Sequence, residues 1–265
     1  MPIEQIIVLA VVQGITEFLP ISSSGHLILV PYLTGWPDQG LAIDIMVHLG
    51  SLCAILVYFW RDVARLTKGA VLLLAMRVTD DGRLAMMIAA ATVPAIAMGL
   101  LLRATGFLDQ IRGIEIIAWN AIIFSLLMAA ADLFGRRIAV ISDMRFAPAM
   151  LIGFAQALAL IPGTSRSGIT MTAARALGFQ RVDAARFSFL LGIPAIAGAG
   201  LLTIFEVERA GAAIPGDAWL AAGLTFISSL AAIAFLMALV PRLGLVPFVV
   251  YRLILGAVLL FIAYG

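Results

Sequence analysis

Charge is scarce in this chain. Only 12% of its 265 residues are Asp, Glu, Lys or Arg, against 63% that are hydrophobic, and the mean hydropathy is +1.11. A soluble domain of this size has no use for so much apolar surface, so the composition excludes a water-soluble globule and points to a polytopic membrane protein. Cysteine is almost absent. A lone Cys53 rules out a disulfide within the chain and cysteine-based zinc chemistry, and in its apolar run it reads as a small packing residue. A cleavable leader is not expected either: the apolar start carries Glu4 and Glu17 and lacks a basic stretch, so it reads as part of the fold. No nucleic-acid partner is expected; the bilayer is.

What the chain does have is long apolar runs. Six are long enough to cross a bilayer, at about 41–60, 84–102, 114–131, 187–205, 218–240 and 248–264. Two more, roughly 3–33 and 149–177, are broken in the middle by Pro, Gly and hydroxyl residues. Each broken run reads as a re-entrant helical hairpin, tolerated at bilayer depth where protein or a wet cavity surrounds it. Setting aside Arg166 and Arg252, fifteen basic residues remain; twelve fall on one side of this layout and three (Arg103, Arg112 and Arg209) on the other. The richer side is expected to be cytoplasmic. One hairpin followed by three spans makes each half odd, so the halves, about 1–131 and 149–265, form an inverted-topology repeat in a single membrane domain, 1–265. The expected fold class is therefore all-α and polytopic, with six transmembrane helices and two re-entrant hairpins whose tips meet near the midplane.

The two breaks resemble each other. Gln13…Pro20…Ser22-Ser-Ser-Gly25 runs beside Gln156…Pro162…Ser165-Arg-Ser-Gly168, with twelve residues from Gln to Gly in both. The first contains Glu17 and the second Arg166, and an ionisable group at bilayer depth costs about 2.5–3.5 kcal/mol on insertion scales, so both are functional candidates. Gln13 and Glu17 share a helix face at i, i+4 and are the candidate ligands for a divalent cation, Mg2+ or Ca2+, or the means of orienting a water. Ser22, Ser23 and Ser24 lead into Gly25-His26, a Gly/Ser loop near a helix start of the kind that cradles phosphate. His26 reads as a general base or nucleophile. In the second break Arg166 offers a planar fork of donors, Thr164, Ser165 and Ser167 offer hydroxyls, and Gly163 and Gly168 permit close backbone approach. Together they read as a phosphoryl-transfer site.

Blander readings stand beside these. The Gly-Ser runs also suit close helix packing, Glu17 and Arg166 a buried ion pair, and His26 an interfacial hydrogen bond. Asp44 and His48, spaced i, i+4 at the outer end of the first full span, either extend the site or form a local polar pair near the headgroups, and the blander reading is preferred. Glu115, Asp132, Glu206 and Glu208 are read as interfacial, and Trp60, Trp119, Trp219 and Tyr251 as an aromatic belt. Pro94-Ala-Ile-Ala and Pro194-Ala-Ile-Ala are read as kinks with close helix contacts.

At these motifs the chain resembles the integral-membrane undecaprenyl-diphosphate phosphatase family, the type associated with bacitracin resistance. The resemblance covers most of the chain. It rests on Gln13-x-x-x-Glu17-Phe-Leu-Pro-x-Ser-Ser-Ser-Gly-His26, on Pro162-Gly-Thr-Ser-Arg-Ser-Gly168 and on Arg186-Phe-Ser-Phe-Leu-Leu. It implies hydrolysis of a C55 polyprenyl diphosphate to the monophosphate carrier with release of phosphate. It also implies recycling of that carrier for peptidoglycan synthesis at the outer face of a bacterial inner membrane. The family's glutamate-rich motif maps onto Gln13 and Glu17, where many members carry Glu at the first position; Gln13 leaves one carboxylate instead of two. Its serine and histidine map onto Ser23 and His26, and its Ser-Arg pair onto Ser165 and Arg166. The expected roles give Arg166 and the hydroxyls the diphosphate, Glu17 and Gln13 a metal or water, and Ser23 or His26 the attack or its activation. A homodimer is left open.

A polyprenyl-phosphate flippase or transporter is the alternative, because an inverted repeat around a midplane site is transporter architecture. The phosphatidate-phosphatase-like pattern is mimicked by Ser24-Gly25-His26 and Ser165-Arg166. It fails because Thr172 stands where its second histidine would fall and no upstream Lys-x6-Arg-Pro element is found.

Overall fold

The computed structural model describes residues 1–37, 39–107, 111, 113–209 and 215–265. Arg112 and the side chains of Glu206 and Glu208, read above from the sequence, lie outside the described residues. Lipid offers the backbone no hydrogen-bond partners, so an apolar chain must satisfy its own amides within helices. Eleven α-helices are seen among the described residues: α1 (Ile3–Phe18), α2 (Ser23–Thr34), α3 (Gly40–Tyr58), α4 (Trp60–Leu74), α5 (Asp80–Ala104), α6 (Ile114–Phe134), α7 (Phe146–Ala157), α8 (Arg166–Ala176), α9 (Arg181–Arg209), α10 (Gly216–Leu243) and α11 (Val246–Tyr264). Six of them, α3, α5, α6, α9, α10 and α11, are long and apolar enough to cross a membrane, matching the six expected runs to within a few residues at most ends. The protein is a multi-pass membrane protein. The sequence reading had no helix for α4, whose charged, largely exposed face anchors to its neighbours through an Asp62–Arg186 ion pair and an Arg65–Asp81 contact of 2.9 Å.

The four helices of the broken runs are shorter. α2, α7 and α8 have 12, 12 and 11 residues; at 1.5 Å per residue these reach about 18 Å, well under the roughly 30 Å of a hydrocarbon core. The breaks have local causes. Leu19 turns extended (φ −69°, ψ 142°) ahead of Pro20, and Ile161 does the same (φ −79°, ψ 123°) ahead of Pro162, because a residue before proline is pushed out of the helical region. α2 folds against α1 and α8 against α7, while α1 packs on α10, α7 on α5, α3 on α9, and α6 on α11. Small residues set these approaches: a Cβ on Gly14 would sit 1.9 Å from Ser228 Oγ, and one on Gly153 2.2 Å from Ala91 O.

Asp132 corrects the sequence reading. It is not interfacial but fully buried, accepting from Arg175 Nε at 3.0 Å, from Arg181 Nε and Nη2 at 2.8 and 2.7 Å, and from Leu245 N at 3.2 Å. Those partners come from three other parts of the chain, so the carboxylate ties α6 to α8, α9 and the start of α11. Asp132→Asn removes the counter-charge of the buried Arg175 and the half-buried Arg181 and is expected to cost about 3–5 kcal/mol, the usual loss on breaking a buried ion pair. Thermal unfolding in detergent checks this, and an unchanged Tm would show that the network contributes nothing. Cys53, read as a packing residue, is exposed on the outside of α3.

Candidate active site

The two chain breaks meet. Ser167 Oγ donates to Leu19 O at 3.1 Å and Arg166 Nη2 to Glu17 Oε1 at 3.2 Å, the latter pair lying 149 positions apart in sequence. The breaks are also built alike. Ser22 (φ 80°, ψ 95°) and Ser165 (φ 72°, ψ 116°) both take positive φ, which is uncommon for a residue with a Cβ. Each caps the following helix by accepting from Gly25 N or Gly168 N, at 3.4 and 3.2 Å, and each hydroxyl lies 3.4 or 3.3 Å from a second serine, Ser24 or Ser167. Such a backbone costs about 1–3 kcal/mol per residue and persists where the surroundings hold it, commonly at functional sites.

One residue does much of that holding. Arg252 of α11 is 1% exposed and donates to Thr164 O (2.8 Å), Gly163 O (2.9 Å), Asn120 O (3.2 Å), Pro20 O (3.3 Å) and Ala121 O (3.4 Å). The guanidinium thus binds carbonyls of both breaks and of α6. Gly163 is required at its place: its φ is +87°, and a Cβ there would meet Ile117 O at 2.6 Å.

Glu17, buried near the end of α1, is the hub of the reactive side. Its Oε2 accepts from Ser23 Oγ at 2.7 Å and from Gln13 Nε2 at 3.1 Å, while Oε1 takes Arg166. Arg166 opens α8, so its charge adds to the positive end of that helix. Its Nη1 reaches Ser188 O at 3.5 Å and lies flat against Gly192, where a Cβ would come within 2.0 Å of Nη1. These groups open into a cavity of about 400 Å³ whose polar wall includes Glu17, Ser22, Ser23, Ser24, Ser165 and Arg166. A hydroxyl held on a carboxylate, beside a guanidinium and two helix starts, can attack phosphorus while the anion is held in place.

Other expected residues stand elsewhere. Gln13 is fully buried behind Glu17, outside the cavity lining, and its Oε1 has no hydrogen-bond partner. Thr164 is likewise buried with its hydroxyl unpartnered, and Ser167 ties the breaks together; neither lines the cavity. His26 points away from it, with Nδ1 on Ser22 O at 2.7 Å, Nε2 on Tyr251 Oη at 2.6 Å, and its ring stacked on that of Tyr251. A carbonyl only accepts, so in the neutral ring Nδ1 carries the proton and Nε2 accepts from the tyrosine hydroxyl. Tyr251, read as part of an aromatic belt, is therefore a partner of the first break. Tyr251→Phe removes one bond worth about 1 kcal/mol, so turnover is expected to fall about fivefold as the ring loosens; a wild-type rate would mean that the bond does not hold it.

Two further residues line the cavity. His48, for which the local-pair reading was preferred over an extension of the site, bonds the Asp44 carbonyl through Nδ1 at 2.7 Å and stands in the cavity wall. Gln156, only 2% exposed, lines it with neither amide atom partnered; its alignment with Gln13 was the available signal. As to a cation, the described residues contain no cluster of three or more His, Cys, Asp or Glu. Of the two expected ligands only Glu17 faces the cavity, already paired with Arg166, so the residues do not form a cation site by themselves.

The fold and this site define a class: a polytopic α-helical membrane protein with an arginine- and hydroxyl-bearing polar site where two chain breaks meet. Comparison with known proteins narrows it. A profile of the bacitracin resistance protein BacA family matches residues 6–258, and the chain belongs to that family. A protein of Maricaulis maris named undecaprenyl-diphosphatase is 50% identical over 259 residues, covering 96% of this chain and 97% of its own. Proteins of the same name from Alcanivorax borkumensis (49% over 260 residues, 97% of both chains) and Erythrobacter litoralis (46% over 279 residues, 97% and 98%) match end to end as well.

Proposed function

We propose that this protein is an undecaprenyl-diphosphatase, hydrolysing the lipid diphosphate to the lipid monophosphate and inorganic phosphate. The observation that carries this is the Ser23–Glu17–Arg166 constellation, assembled across the two breaks in a chain that matches its relatives along nearly its whole length. In this reading Arg166, with Ser165 and the starts of α2 and α8, holds the terminal phosphoryl group. Ser23 Oγ attacks its phosphorus while Glu17 Oε2 takes the hydroxyl proton, and the bond to the bridging anhydride oxygen breaks, leaving the lipid monophosphate. Water then cleaves the phosphoserine, and the proton returns through Glu17. Gln13 positions Glu17, and His26 fixes the backbone of the first break through Ser22. Glu17 is the one residue that would hold Mg2+ or Ca2+ here, and the ion would supply charge neutralisation of the diphosphate.

The family and the six spans support a place in the bacterial inner membrane. The charge asymmetry supports re-entrant hairpins in inverted halves with the site reached from the periplasmic side, where regeneration of the carrier would serve peptidoglycan synthesis and resist bacitracin. The test is phosphate release from undecaprenyl diphosphate by the purified protein in detergent, with and without a chelator. Release is expected. A folded sample that releases none overturns the reading, and lipid translocation without hydrolysis would favour the transporter alternative.

A further inference from the structure

We propose that His48 is the base for the second half of the reaction, taking the proton of the water that cleaves the phosphoserine on Ser23. This rests on the diphosphatase reading and supplies a proton acceptor that the reading leaves open. In each turnover a proton must leave the Ser23 hydroxyl, and later another must leave water. Glu17 takes the first, through its bond to Ser23 Oγ at 2.7 Å. Once protonated, it can return that proton to Ser23 Oγ as the serine departs, but it cannot at the same moment accept one from water. Gln13, bonded to the same carboxylate oxygen at 3.1 Å, is an amide and takes no proton. A site that runs both halves needs another acceptor.

Among the described residues the cavity wall holds three ionisable side chains, Glu17, His48 and Arg166. An arginine does not give up its proton in proteins, so His48 is the acceptor that remains, and an imidazole changes charge near neutral pH. It stands about two turns into α3, a helix that packs on α1, α9 and α10, so it reaches the site from outside both chain breaks. Its Nδ1 lies 2.7 Å from Asp44 O. A carbonyl only accepts, so in the neutral ring Nδ1 carries the proton and Nε2 keeps its lone pair. No described residue bonds Nε2, whereas Nε2 of His26 is closed off by Tyr251. No hydrogen bond joins His48 to Glu17 and the two interact only through space, so each can hold its own proton. The other charged groups nearby are Arg166 in the cavity wall and Asp44 on α3, whose carboxylate accepts from Gln39 Nε2 at 2.8 Å. The step balances. The water oxygen bonds to phosphorus and gives one proton to His48 Nε2. The bond from phosphorus to Ser23 Oγ breaks, and Oγ takes back the proton held by Glu17. Hydrogen phosphate leaves with the second water proton, and the imidazolium returns its own to solvent.

The test uses the full chain in detergent and undecaprenyl diphosphate radiolabelled in its terminal phosphate, quenched at short times. Lipid monophosphate reports the first half, labelled protein the intermediate, and free phosphate the second half. In His48→Gln the first turnover is expected to yield lipid monophosphate at the wild-type rate, while phosphate release slows about a hundredfold, the lower end of what a general base contributes. Labelled protein should therefore accumulate until it nears the amount of chain present. In His48→Ala, added imidazole is expected to restore part of the release, which a purely structural loss would not allow. Equal slowing of both halves in folded variants, wild-type phosphate release, release that imidazole leaves unchanged, or failure of label to appear on the protein overturns the proposal. A wild-type protein that releases no phosphate overturns the diphosphatase reading itself, so the two failures are told apart.

Discussion

Arg166→Ala is expected to lower turnover by at least a thousandfold while the protein still folds. Removing one preorganised donor from a site of developing negative charge commonly costs a hundred- to a thousandfold. Arg166 supplies more than one such donor and also holds Glu17 Oε1 at 3.2 Å. Without it the carboxylate loses its guanidinium anchor and keeps only Ser23 and Gln13 as hydrogen-bond partners, so it no longer holds the Ser23 hydroxyl in a fixed position. Arg166→Lys keeps the charge but loses the planar fork, so it should recover only a small part of the rate. Gly192→Ala is the subtler variant. Its Cβ would stand 2.7 Å from Arg166 Cζ, so the guanidinium must move; a displacement of about 1 Å can cost a hundredfold. Steady-state kinetics beside thermal unfolding decide this. Turnover within threefold of wild type in Arg166→Ala would remove the residue from the mechanism.

Arg252→Met is expected to fail differently, in the fold. Methionine fills the space but abandons carbonyls of Pro20, Gly163, Thr164 and Asn120 at bilayer depth. An unsatisfied buried polar group costs about 1–3 kcal/mol, so even with partial relaxation the loss should reach about 4 kcal/mol, a fall in Tm of roughly 8–16 °C for a chain of this size. Activity should vanish along with the geometry of both breaks, and Arg252→Lys should lie between. A Tm equal to that of the parent would show that the breaks are held by other contacts.

The six spans were legible because hydropathy acts locally: a run of apolar residues long enough to cross has one low-energy solution in lipid. Glu17 and Arg166 were legible for the converse reason, as charges where charge is expensive. What escaped depended on partners far along the chain. Asp132 looked interfacial because Arg175 and Arg181 lie 43 and 49 positions away. The partner of His26 was hidden for the same reason, since Tyr251 lies 225 positions on. Arg252 stood in plain view as a charge within an apolar span, yet its partners are backbone carbonyls, which carry no sequence signature.

The staple formed by Arg252 also bears on biogenesis. α11 is the latest of the described helices to leave the ribosome, and it carries a guanidinium costing about 2.5–3.5 kcal/mol to place in the bilayer alone. The carbonyls that relieve this cost belong to α6 and to the two breaks, all synthesised earlier. Insertion of α11 and closure of the clamp on the two breaks are therefore coupled. A nascent chain stalled before residue 252 would carry Glu17, Ser23, Ser165 and Arg166 and still lack the clamp that holds the two breaks together, so quality-control proteases should meet it as an open, unfinished bundle.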